Sequence, residues 1–174
     1  MPKVPFSKLN LKKIDKVQVV TINGLDVEVK QYLPVAEKLE LIANVLNNSA
    51  DDNNFANPVK TYVLSHLEII YAYTNLSFTD KQKEDPAKLY DILETNGIID
   101  SIILAMPPSE YDNLIEDITS TIDAYYKYKN SALGILEAAT TDYKNLDLEA
   151  SDIQKKIADP DNLMLLKDVI TKLG

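Results

Sequence analysis

Residues 107–145 read PPSEYDNLIEDITSTIDAYYKYKNSALGILEAATTDYKN, and this stretch decides the fold. After Pro107-Pro108 the chain runs for more than thirty residues without proline. Tyr111, Leu114, Ile115, Ile118, Ile122, Tyr125, Ala132, Leu136, Ala139 and Tyr143 recur at three- and four-residue intervals, which is the period of a helix. Ser109 is placed to cap its first turn, with Asp112 as the reciprocal acid. One helix over about 109–143 would span roughly 50 Å at about 1.5 Å per residue. That is longer than a domain of this size needs, so the helix is expected to be a spine for shorter helices or a surface for another chain. Gly134 inside it costs about 1 kcal/mol relative to Ala and marks a close contact or a kink.

Working outward, two strongly apolar helices are expected at 58–74 and 98–106, and Tyr111 to Ile122 is the surface that would cover them. Asn57-Pro58 is an N-cap followed by proline at the first helical position. A further amphipathic helix begins after Pro34 and ends in Asn47-Asn48-Ser49. A short one begins near Thr79 or Pro86 and ends at Asn96-Gly97, where Gly97 suits a left-handed cap. Near the N-terminus, Val17–Ile22 and Leu25–Lys30 flank Asn23-Gly24. Asn-Gly between β-branched runs signals a type I′ hairpin, because both turn residues need positive φ. Pairing through that turn places Val20, Ile22, Leu25, Val27 and Val29 on one face. A lone hairpin is marginal, so that face must lie on helices or its edge must pair with another chain. Helices at about 147–158 and 160–173 complete the chain.

The expected fold is therefore mainly α: an N-terminal β-hairpin followed by a bundle of about six or seven helices, one of them long. Residues 1–16 read as an extended arm, 17–145 as hairpin plus helical core, and 146–174 as a helical appendage.

Composition narrows the function. The chain has 174 residues and a net charge of −9, and every basic residue is Lys. An acidic chain without Arg is poorly suited to nucleic acid, whose phosphates repel it. The sequence has no Cys and a single His, His66, so thiolate sites and the common zinc sites cannot be assembled. No apolar run approaches a membrane span. Neither nucleic acid nor membrane is expected as a partner.

No phosphate loop, nucleophile elbow or metalloprotease motif occurs. His66 lies in the most apolar helix and reads as a core or interface residue. Asp51-Asp52-Asn53-Asn54 has the composition of a calcium loop but not its spacing, and reads as a turn-rich connection. Glu110, Glu116, Asp117 and Asp123 read as the solvated face of the long helix. No catalytic, cofactor or metal residue is assigned. The candidate interaction residues are Val19 and Thr21 on the hairpin and Tyr125, Tyr126 and Tyr128 on the helix. Three tyrosines within four residues cannot all face one side, and tyrosine is enriched in interface cores.

Several fragments carry a resemblance. They are Ile22-Asn23-Gly24 with Val27 to Pro34 and Glu37-Lys38-Leu39; Ala72-Tyr73-Thr74-Asn75 with Ser77-Phe78-Thr79; Leu89 to Glu94; Asn96 to Asp100; and Tyr128 to Ala132. Over roughly residues 20–137 the chain resembles a family of small proteins from the virion-morphogenesis region of tailed phages and prophages of Gram-positive bacteria. Its hairpin-then-helices plan is also similar to that of phage tail assembly chaperones. These motifs are structural. The resemblance implies a non-enzymatic structural or assembly component that binds other phage proteins of the head, neck or tail, or itself as a homo-oligomer. It would work in the host cytoplasm during assembly or in the virion. The alternative expectation is a small acidic phage protein that inhibits a host factor. An enzyme built on His66 and nearby carboxylates is the third.

Overall fold

Asn23 and Gly24 both take positive φ, 50° and 79°, and the type I′ turn forms where the sequence places it. In the computed structural model, which describes residues 3–12, 15–51 and 55–137, strands β1 (Val17–Ile22) and β2 (Leu25–Lys30) pair antiparallel. The register runs from Ile22 opposite Leu25 to Val17 opposite Lys30. Val27 and Val29 are buried, and Val20 and Ile22 pack beside the core. Leu25, at the tip, lies beyond the helices and is exposed.

Among the described residues six named α-helices follow, with a further helical segment at 132–137, so the chain is mainly helical behind an N-terminal hairpin, as its patterning predicts. They are α1 (Val35–Asn48), α2 (Pro58–Tyr73), α3 (Asp80–Lys83), α4 (Pro86–Thr95), α5 (Ile98–Ala105) and α6 (Pro108–Lys129). Local chemistry sets most boundaries. Asn57 Oδ1 accepts from the N–H groups of Val59 and Lys60 at 3.0 and 3.1 Å, which caps α2. Thr79 and Gln82 form a reciprocal capping box on α3. Thr79 and Pro86 thus each start a helix of their own. Gly97, at φ 67°, turns the chain from α4 into α5.

The core joins these elements. Leu41 and Val45 of α1 meet Leu67, Ile70 and Tyr73 of α2, with Leu89 and Leu93 of α4 and Ile99 and Ile102 of α5. From α6 come Leu114, Ile118, Ile122 and Tyr126, one buried residue every four. A stripe this narrow leaves most of α6 facing solvent.

Four expectations are corrected here. α6 ends at Lys129, not near 143: the chain turns at Asn130-Ser131 and resumes as helix at 132–137. Asn and Ser offer the backbone local partners. Ser131 Oγ donates to the Tyr128 carbonyl at 2.6 Å and accepts from the Gly134 N–H at 3.1 Å. A Cβ at Gly134 would run into the Tyr128 carbonyl oxygen, so glycine allows this close turn. Second, Ser109 does not cap α6. Pro108 already occupies its first turn, where its fixed φ and missing N–H cost nothing. The Pro107 carbonyl accepts from Glu110 and Tyr111 instead. Third, the strongly apolar helix expected at 98–106 is not covered all round: Leu104 is 84% exposed, while Ile99, Ile102 and Ala105 are the buried residues of α5. Fourth, Glu110 is not on the solvated face, as described below. The chain divides into two compact units, Met1–Lys127 and Tyr128–Gly174. The helices expected at 147–158 and 160–173 lie outside the described residues.

Candidate functional site

The hairpin's two edges differ. In β2 the outward backbone groups of Glu28 are both taken: its N–H donates to Asn75 Oδ1 at 3.1 Å, and its carbonyl accepts from the Asn75 N–H at 3.3 Å. Thr74 forms a further bridge to Val29. In β1 the outward groups belong to Val17, Val19 and Thr21, because these residues occupy the non-hydrogen-bonded pairs of the ladder. They meet no backbone partner among the described residues. Val17 and Val19 are also about half exposed. The Thr21 hydroxyl donates to Asp26 across the pair at 2.9 Å. Val19 and Thr21 therefore lie together on an open strand edge.

The three tyrosines do not act together. Tyr126 continues the buried stripe of α6 at 8% exposure, so its ring belongs to the core and is not offered to a partner. Tyr125 and Tyr128 are exposed. The Tyr125 ring stands edge-on to Tyr126, and the Tyr128 hydroxyl donates to Glu137. The four-residue step from Leu114 through Ile118 and Ile122 leads to Tyr126 and is the signal that identifies it as core.

A groove of about 340 Å³ runs between α2 and α6. Pro58, Thr61, Tyr62, Ser65 and His66 form one wall, and Tyr111, Ile115, Thr119, Ile122 and Asp123 form the other. His66 is buried against it. Its Nδ1 lies 2.8 Å from the Tyr62 carbonyl, which can only accept, so Nδ1 carries the proton. In the neutral ring Nε2 then accepts from the Tyr111 hydroxyl at 3.1 Å. Both ring nitrogens are engaged. The ring also packs against Tyr62, with centroids 4.2 Å apart, and reaches Tyr90 of α4 at 6.1 Å. Burial raises the Tyr111 hydroxyl above its usual pKa, with the neighbouring Tyr62 and Asp112 adding to it. Thr61 Oγ1 is shut away from solvent without a hydrogen bond. Such a group costs about 1–3 kcal/mol if nothing offsets it.

Glu110 ties four segments together. Its Oε1 accepts from the Leu33 N–H at 3.1 Å and the Tyr73 hydroxyl at 2.7 Å, and Lys38 Nζ lies 2.8 Å away. Burial pushes its carboxyl up, but the bonds from Lys38, Tyr73 and Leu33 together outweigh that and hold it below the usual range. Burial, with the Glu110 bond adding to it, pushes the Tyr73 hydroxyl far up. This carboxylate joins the strand–helix connection, α1, α2 and α6 into one frame. Asp112, Glu116, Asp117 and Asp123 remain exposed along α6.

Of the acidic loop after α1, Asp51 is described. Its carboxylate accepts from the Phe55 N–H at 2.9 Å, closing a local turn, as the sequence composition predicts. Among the described residues no cluster of His, Asp or Glu could hold a metal ion, and no helix is long and apolar enough to cross a membrane.

Comparison with known proteins adds no assignment: no family model, curated protein or solved structure matches this chain.

Proposed function

We propose that this chain works by binding other proteins, without catalysing a reaction, as a structural or assembly component of a tailed-phage virion. One observation carries the binding part. Every described residue of the arm, 3–12, is exposed, including Val4, Phe6, Leu9 and Leu11. Phe6 is 76% exposed. A run of large apolar side chains held in water marks a surface that another molecule covers. The open edge of β1 is a second such feature, since an unpaired strand can add a strand from a partner. The phage setting rests on the sequence resemblance over residues 20–137. In that setting the partners are head, neck or tail components or further copies of the chain, met in the host cytoplasm during assembly. A tail-assembly-chaperone role belongs to the same reading.

Mass spectrometry of purified virions, paired with affinity capture from infected cells, tests it. The chain should be found in the particle, or should capture identified virion proteins. Absence from virions together with capture of no virion protein would overturn it.

A second reading has its own observation. Asp112, Glu116, Asp117 and Asp123 lie exposed on α6, and an acidic face of this kind could occupy a basic site on a host factor. Under that reading, reversing these four charges should abolish host-protein capture.

A further inference from the structure

We propose that the arm's partner is a second copy of this chain, and that residues 3–12 of one copy lie in the α2–α6 groove of the other. The inference rests on the protein-binding reading above and names the partner. The two surfaces complement each other, and each is unfilled among the described residues.

Charge is the first argument. Residues 1–16 hold five lysines against one aspartate, a net +4, whereas the remainder holds thirteen lysines against 26 acids, a net −13. The groove wall on α6 carries Asp123, and Asp112, Glu116, Thr119 and Asp123 follow one another at helical steps of four, three and four along one face. The single lysine of α2, Lys60, is turned away, its Nζ donating to the Ala50 carbonyl at 2.8 Å. The groove is thus edged by carboxylates with no competing cation on its α2 wall.

Shape and chemistry are the second argument. In the arm, Lys3, Lys8 and Lys12 alternate with Val4, Phe6, Leu9 and Leu11, and a 3₁₀ turn at Phe6–Leu9 bunches the apolar side chains. The groove offers Tyr62, Tyr111 and Ile115 to an aromatic ring, and its 340 Å³ leaves space for Phe6 with an aliphatic neighbour. Aromatic anchors in a desolvated pocket with charges at the rim are how compact interfaces gain affinity. Reciprocal exchange of two arms gives a closed two-fold dimer.

The absence of cysteine makes the test clean. Tagged chains carrying Ser7→Cys, which leaves Phe6 in place, are mixed with untagged chains carrying Thr119→Cys and oxidised gently. Both positions are exposed, so neither substitution disturbs the core. A mixed disulfide between tagged and untagged chains is the expected main product. In sedimentation equilibrium, Lys3→Glu/Lys8→Glu/Lys12→Glu should weaken self-association about tenfold or more, as three lost charge pairs imply. Asp112→Lys/Glu116→Lys/Asp123→Lys should do the same, and mixing the two variants should restore association. No mixed disulfide with a monomer at all concentrations overturns the inference. So does an internal disulfide in a monomeric chain carrying both substitutions, which would place the arm in its own groove. If the monomer is nonetheless found in purified virions, this inference fails while the protein-binding function stands.

Discussion

Leu33 and Leu9 are the same side chain in opposite situations. Leu33 is fully buried, and its N–H is held by Glu110. Leu9 is exposed, in an arm with no buried residue among those described. Hydrophobicity alone does not separate them. Leu33 is fixed because Glu110, Lys38 and Tyr73 converge on its neighbourhood from three helices. Residues 3–12 show no comparable tie among the described residues, and their apolar side chains stay exposed. The body folds on ties between distant segments, and the arm offers the kind of surface that binding covers.

That contrast can be broken most severely at Glu110. Replacing it with Ala strands Lys38 beside two other unpaired donors. Urea unfolding should show a loss of about 3–5 kcal/mol, the range for breaking a largely buried ion pair. Ile118→Ala, at a fully buried site on α6, should cost about 2–5 kcal/mol through the cavity it leaves. A loss under 1 kcal/mol at either site would mean the body is not held as described.

Acid sharpens the same point. Because Glu110 titrates below the ordinary 4.5 when folded, its contribution is complete above that value and is lost as pH falls through the lower folded-state value. The urea midpoint of the wild type should therefore fall more steeply below pH 4.5 than that of Glu110→Gln. Parallel curves would remove Glu110 from the account.

Asn75→Ala is the intermediate case. It frees the Glu28 N–H on the outer edge of β2 and should cost about 1 kcal/mol. It would also leave β2 with an edge partly open like that of β1, so increased light scattering at high concentration is expected. The smallest effect belongs to the arm. Leu9→Ala should change stability by less than about 0.5 kcal/mol, since the side chain is more than half exposed.

How much of this was legible in the sequence depends on how far apart the partners lie. The hairpin, its register and the caps at Asn57 and Thr79 involve residues within a few positions of each other, and their turn chemistry is visible along the chain. The break after Lys129 was also local. Asn130-Ser131 and Gly134 carried it, but the apolar period running past them masked it. Val19 and Thr21 on an open edge follow from strand alternation. By contrast, Asn75 closing the other edge joins residues 47 positions apart, and the Glu110 hub joins residues up to 77 apart. No local pattern marks such partners. The α2–α6 groove is hidden for the same reason, since Tyr62 and Tyr111 meet only through the packing of two helices.

Amide hydrogen exchange on the full chain, at low and at high protein concentration, tests the central claim most directly. The account predicts that the amides of 3–12 exchange freely in dilute solution and gain protection at high concentration, while the α2 and α6 core amides are equally protected in both. An arm already protected in the dilute monomer, or core amides that need high concentration to be protected, would contradict it.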